Sequence, residues 1–168
     1  ASRDLEIADT LDNRRRLAER KFADGDYAGA ESLYRDALRG LYATDPTLML
    51  GLAQAQFHRG EPSAARATLD ALIAANPDFR SHDGHLLYAR AVEAGDDFTA
   101  AVEEYEALIQ DYPGEEARVR YAGLLQRHGQ TDKAKALYAD TLRRVDLAPA
   151  YYRREQREWA DIAKRESR

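Results

Sequence analysis

The chain contains no cysteine. Its 168 residues therefore hold no disulfide, no thiolate nucleophile and no cysteine-ligated zinc or iron–sulfur site, and the redox compartment stays open. Basic charge is also in short supply, with Lys and Arg totalling 25 against 30 Asp and Glu, for a formal charge of −5. A general nucleic-acid binder needs basic surface to displace counterions from phosphate, so that class is set aside. Glycine and proline are sparse, at 10 and 5. No apolar run approaches the roughly 18–20 residues of a membrane-spanning helix, and no signal peptide is visible. Familiar catalytic signatures are missing as well: there is no Gly-x-Ser-x-Gly, no Gly-x-Gly-x-x-Gly and no Gly-rich loop ending in Lys-Ser/Thr. What is abundant is Ala, Leu, Arg, Glu and Asp, the composition of one helical domain.

The sequence repeats itself. Gly25, Gly60, Gly95 and Gly129 stand 35, 35 and 34 residues apart. Each precedes a stretch in which a small and a large apolar residue recur four apart: Ala30 with Tyr34, Ala65 with Leu69, Ala101 with Tyr105, and Ala134 with Tyr138. A proline follows each stretch, at Pro46, Pro77, Pro113 and Pro149. Glycine ends a helix by adopting the left-handed conformation without steric cost. The small Ala lets two helices approach, and the larger residue one turn on fills the space beside it. Proline cannot continue a helix interior, so it marks the connection to the next pair.

This pattern resembles the tetratricopeptide repeat, in units of about 11–46, 47–80, 82–114 and 115–148. The second unit carries Leu52, Ala53, Gly60, Ala65, Leu69 and Pro77 at the family's spacing, and the third Ala89, Phe98, Ala101, Tyr105 and Pro113. The family's early Trp is replaced by Arg14, Met49, His85 and Arg118. The resemblance implies an all-α, right-handed superhelix of about four helix–turn–helix units. Helices are expected at about 4–23, 27–42, 47–59, 62–75, 82–94, 98–111, 115–128 and 131–146, with Asp26 and Asp97 as N-caps. The second helices of units one and four should run about a turn long, because their prolines come late. A ninth helix, about 149–165, opens at Pro149 and is no repeat; Tyr152, Trp159, Ile162 and Ala163 share one face, and Arg153, Arg154, Arg157, Lys164 and Arg165 the other. Repeat arrays need a polar-backed element over their exposed end, so this helix is read as a cap. A basic face for acidic lipid or nucleic acid is its alternative reading.

A second resemblance spans the whole chain. GHLLYARAVE, YEALIQDYPGEEARVRYAGLLQRHG and APAYYRREQREWADIAKR look like a group of bacterial membrane-associated tetratricopeptide proteins. In that group a hydrophobic hairpin, similar to one preceding some phospholipase D-type enzymes, comes before the repeats. The resemblance implies a soluble portion of a membrane-anchored protein, cytoplasmic at the inner membrane face, with the periplasm as the other possibility.

Candidates for chemistry are few. Ser81-His82-Asp83-Gly84-His85 places two imidazoles three apart with an acid nearby, a possible metal or acid–base cluster. The same segment reads equally as a capped helix start, with His85 in the position where the repeat buries a ring. His58 and His128 fall in final helical turns, where the helix dipole favours an imidazolium. The adjacent acids Asp96-Asp97, Glu103-Glu104 and Glu115-Glu116 diverge by about 100° on a helix and make no facing catalytic pair. An enzyme is not expected, nor is any cofactor.

Function then falls to a surface. In the family the first helices of successive units line a concave groove, and carrying over those positions gives Arg15, Glu19 and Phe22; Leu50, Gln54, Phe57 and His58; Leu86, Arg90 and Glu93; and Val119, Gln126 and Arg127. Leu50, Phe57, Leu86 and Val119 would form an apolar floor with arginines at intervals, unless they pack between helices instead. Phe57 is the expected anchor and Arg90 its polar counterpart. The family's clamp for a terminal carboxylate is excluded, since its places hold Arg15, Glu19, Gly51, Asp83 and Leu87, and the acids repel a carboxylate. The expectation is a non-catalytic module that binds a protein or peptide in this groove. Self-association as a homodimer is the structural alternative, and metal-dependent activity around His82 and His85 the catalytic one.

Overall fold

The computed structural model describes residues 2–168, with side chains from Thr10 onward. In chain order the helices are α1 (Ser2–Ala23), α2 (Tyr27–Ala37), α3 (Pro46–His58), α4 (Pro62–Ala75), α5 (His82–Ala94), α6 (Phe98–Leu108), α7 (Glu116–Arg127), α8 (Thr131–Leu147), α9 (Ala150–Glu155) and α10 (Arg157–Glu166). A single 3-10 turn lies at Gly40–Tyr42, and no strand occurs among the described residues. These are about four helix–turn–helix units with a C-terminal cap, the expected fold class. By internal contacts the chain also falls into two compact units, Ala1–Asp96 and Asp97–Arg168, and from here on these are the first and the second unit.

Helix starts are set by side chains that accept the first unpaired amides. The N–H of Gly29 donates to Asp26, that of Leu48 to Asp45 and that of Gly84 to Ser81, at 2.9, 2.9 and 3.0 Å. Asp97 accepts from the N–H of Ala100 at 3.2 Å. Pro46 and Pro62 sit in the first turns of α3 and α4, where a missing N–H costs nothing. Three of the four repeat glycines have the left-handed φ expected, Gly25 at 82°, Gly60 at 92° and Gly129 at 79°. The fourth does not: Gly95 has φ −84°, and the left-handed position passes to Asp96 at φ 60°. Gly95 stands six residues before Ala101, where the other repeat glycines stand five before their Ala. Asp tolerates the left-handed region better than most side chains, so the added residue moves that position by one.

The small and large apolar residues of the repeat are buried, as their spacing implies: Ala30, Ala65, Ala101 and Ala134, and with them Tyr34, Leu69, Tyr105 and Tyr138. In the first unit α3 is apolar on both sides. Leu48, Leu52 and Ala55 pack with Ala18, Ala30 and Tyr34, while Met49 and Ala53 pack with Leu69, Leu72 and Leu87. A helix buried on two faces loses its polar stripe, and α3 shows this. In the second unit the rings of Tyr105 and Tyr121 stack with centroids 5.8 Å apart.

Several boundaries differ from expectation. The helix expected over 27–42 ends at Ala37, because Leu38 leaves helical geometry and Gly40 turns left-handed at φ 58°. α6 stops at Leu108, short of 111, whereas α8 does run long, to Leu147. The single helix expected over 149–165 breaks at Gln156 into α9 and α10, with Pro149 as the N-cap of α9 and not inside it. At the break Gln156 Oε1 accepts the N–H of Glu115 at 2.8 Å, and its side-chain amide lies over Gly114.

The cap packs α10 on α7 and α8 through buried Ala160 and Ala163. Trp159 is only half-buried, with the Arg120 guanidinium 5.1 Å above its ring and Arg120 paired to Glu116 at 2.9 Å. Full burial would have made Trp159→Ala cost 3–5 kcal/mol; half-burial plus one cation–π contact lowers the expected loss to about 1–2 kcal/mol, measurable by urea unfolding.

Candidate functional site

In the first unit α3 lies between α1 and α5. Toward their C-terminal ends these first helices, together with the start of α2, gather an aromatic and cationic group. The His58 ring stands 5.0 Å from Phe22, 5.3 Å from Tyr27 and 5.6 Å from Phe57, and Phe22 meets Tyr27 edge-on at 5.2 Å. The Arg90 guanidinium sits 4.7 Å over the Phe57 ring. His58 Nδ1–H donates to the Gln54 carbonyl at 2.9 Å, which fixes its ring plane. Phe22, Tyr27, Phe57, Gln54 and Arg90 are half-buried and His58 is exposed, so this aromatic and cationic surface is open.

A buried ion pair holds the end of α3 in place. Glu31 on α2 is almost fully buried and takes Arg35 at 2.9 Å and Arg59, the C-cap of α3, at 2.8 Å. Burial pushes the Glu31 carboxyl up, but hydrogen bonds from Arg59 and Arg35 outweigh it and hold the group below the usual carboxylate range. Charge is therefore present at neutral pH, and Arg59, directly after Phe57 and His58, is tied down.

Five of the positions expected to line a groove thus converge: Phe22, Gln54, Phe57, His58 and Arg90. The others lie elsewhere. Leu50 is half-buried against the Met49 and Leu69 cluster, and Glu93 is half-buried on α5. Arg15 lines a separate cleft of about 340 Å³ with Asp12, Tyr42 and Asp45, paired to Asp12 at 2.8 Å and to exposed Glu19 at 3.5 Å. Leu86 and Val119 are buried, at 6% and 4% exposure, so they are core and leave the apolar floor. Their side chains fall between helices because one residue of offset turns a helix position by about 100°.

In the second unit Gln126 is engaged internally. Tyr138 Oη–H donates to it at 3.0 Å, and its amide donates to Glu166 at 3.2 Å. Arg127 is exposed at the end of α7, and His128, just beyond, stacks on Phe98 with centroids 4.2 Å apart.

A polar centre in this unit escaped sequence reasoning. Glu115 is fully buried, and its carboxylate accepts from Arg118 at 3.1 Å, from Arg144 at 3.2 Å and from the Tyr152 hydroxyl. Burial, then the hydrogen bond to Glu115, pushes the Tyr152 phenol up to about 12. The partners come from α7, α8 and α9, so one carboxylate ties the cap to the last repeat pair. The only sequence signal was an acid directly after Pro113-Gly114 at a helix start, where negative charge is already explained by the dipole. The Glu115 carboxylate is saturated with donors and itself fully buried, which suits structure and not turnover.

Among the described residues no three His, Asp or Glu side chains gather as metal ligands. His82 is exposed and His85 half-buried, both in the first turn of α5 behind the Ser81 cap. Likewise no helix among the described residues is long and apolar enough to cross a membrane.

Residues 21–91 match the tetratricopeptide repeat family model. No curated protein sequence matches the chain. Among solved structures, a MamA protein aligns with TM-score 0.67 at 20% identity, over 95% of this chain and 88% of that one. The nearly identical TPR-like repeats of a Podosopora anserina kinesin light chain align with TM-score 0.69 at 19% identity, over 94% and 83%. A thermophilic TPR protein of Thermus thermophilus aligns with TM-score 0.51 at 18% identity, over 94% and 97%. At such identities these likenesses show a shared fold.

Proposed function

We propose that this chain, which carries tetratricopeptide repeat sequence over residues 21–91 and has the tetratricopeptide fold, is a non-catalytic interaction module. Tetratricopeptide domains are in general protein- and peptide-binding scaffolds. Here the ligand is a peptide segment seated on the first-helix face of residues 1–96, across Phe22, Phe57, His58 and Arg90. The observation that carries this reading is the stack of Arg90 on Phe57 beside an open aromatic group. Half-exposed aromatics and arginine are the side chains that most often dominate binding energy, and here each is held by neighbours, so little ordering entropy opposes binding. The Phe57 ring supplies burial. Arg90, its aliphatic stem against that ring, presents N–H donors to a carboxylate or backbone carbonyl of the ligand.

The whole-chain resemblance supports a place at the inner face of a bacterial membrane, reached through a hydrophobic segment encoded upstream. Membrane fractionation of the full gene product tests that part of the proposal.

The binding reading is tested by capture from native extract, followed by affinity measurement with the captured partner. Phe57→Ala and Arg90→Ala are each expected to cost about 2 kcal/mol of binding, roughly thirtyfold. Phe57→Leu keeps an apolar side chain against the cluster of Met49, Ala53, Leu69, Leu72 and Leu87 and isolates the ring's contribution. Wild-type affinity in both alanine variants contradicts the proposal. Mass measurement in solution separates it from self-association, in which the same face would be covered by a second copy.

A further inference from the structure

The break at Gln156 does more than seat the cap. It gathers cations from the end of α9 and from α10 around a cleft of about 390 Å³, lined by Arg153, Arg154, Arg157 and Lys164 above an apolar floor of Val145 and Ala160. All four cations are exposed, and among the described residues none of them forms an ion pair. Their neighbours behave differently. Arg144, nine residues before Arg153, is paired to Glu115, and Arg165, directly after Lys164, to Glu166. Four unpaired cations in one cleft of a chain with formal charge −5 form a local field opposite to that of the whole.

We infer that this cleft is a second binding site, for an acidic peptide segment of a partner protein that carries an apolar side chain between its carboxylates. Three features select that ligand. Three of the four cations are arginines, whose planar forks match carboxylates with two parallel hydrogen bonds. The floor of Val145 and Ala160 rewards an apolar group, which inorganic phosphate and a nucleic-acid backbone lack. Asp161 also lines the cleft, and it repels a bare polyanion while accepting an N–H from a peptide backbone. The concave form suits an extended chain more than a flat anionic bilayer. This site uses α8, α9 and α10 alone and is independent of the first-helix face.

Trp159, the only tryptophan, lies on α10 and reports on the site by fluorescence. The probe is a blocked hexapeptide, Glu-Leu-Glu-Glu-Leu-Glu, titrated into the full chain; the control replaces each Glu by Lys. Saturable binding of the acidic peptide alone is expected, weakened about tenfold or more in Arg153→Glu/Arg157→Glu. Arg154→Glu/Lys164→Glu, which alters other exposed positions, should do the same if the first variant folds poorly. Phe57→Ala should bind the probe like wild type. The inference is overturned if the acidic peptide fails to bind, or if both charge reversals leave its affinity unchanged. It is equally overturned if Phe57→Ala abolishes binding, or if phosphatidylserine vesicles bind where the peptide does not.

Discussion

Glu115→Ala is expected to lower the stability of residues 97–168 by on the order of 3 kcal/mol, a fall in melting temperature of about 10 °C or more. The carboxylate is fully buried, and removing it strands the largely buried Arg118 guanidinium and the Tyr152 hydroxyl. Arg144 is half-exposed and can return to water, which keeps the loss near the lower end for a broken buried pair. The same centre predicts an alkaline transition. The folded Tyr152 phenol titrates at about 12, above its ordinary value near 10, so it adds stability that is complete below the ordinary range. That stability is lost as pH rises through about 12. Phenolate absorbance during base titration measures it directly, and Glu115→Gln should move the Tyr152 transition back toward the ordinary value. Because burial is the larger cause of the shift and the hydrogen bond the second, a Glu115→Gln transition unchanged from wild type would mean that the hydroxyl is not donating to Glu115.

Gly51→Ala should be destabilising by about 1–3 kcal/mol, although Ala is the better helix former by roughly 1 kcal/mol. Gly51 lies mid-helix in α3, and a Cβ there would overlap the buried Tyr34 ring on α2. The backbone of α3 can approach α2 only because nothing projects at this position. Chemical denaturation measures the loss. The double variant Tyr34→Leu/Gly51→Ala should lose less than the sum of its single changes, because the slimmer side chain yields to the added methyl. Strict additivity would show that the two residues do not press on each other.

Much of this fold is legible in the sequence because its determinants are local and periodic. Ala30 with Tyr34 and Ala65 with Leu69 recur at the spacing of one helical turn, and Gly25 and Gly60 need left-handed backbone, so spacing alone places the pairs. The shift from Gly95 to Asp96 was hidden, because one inserted residue gives the turn two ways to reverse. The early end of α2 was hidden because the late Pro46 reads as a helix that runs on, while the chain has already left helical geometry at Leu38. At the candidate site, Phe22, Gln54, Phe57, His58 and Arg90 were reached from family positions, and the structure brings them together. Leu86 and Val119 came from the same positions and proved to be core, since groove and core are separated by about 100° on one helix. The Glu115 centre was not legible at all. Arg144, Tyr152 and Gln156 lie 29, 37 and 41 residues away from it, and no periodic pattern links them.

A partner segment seated on the first-helix face of residues 1–96 would shield the backbone amides beneath it. Amide hydrogen exchange, compared with and without the captured partner, tests this seating most directly. Added protection is expected in the last turns of α1 and α3 and across most of α5, around residues 19–22, 54–58 and 86–93. Unchanged exchange in those three segments, with protection confined to residues 97–168, would contradict it.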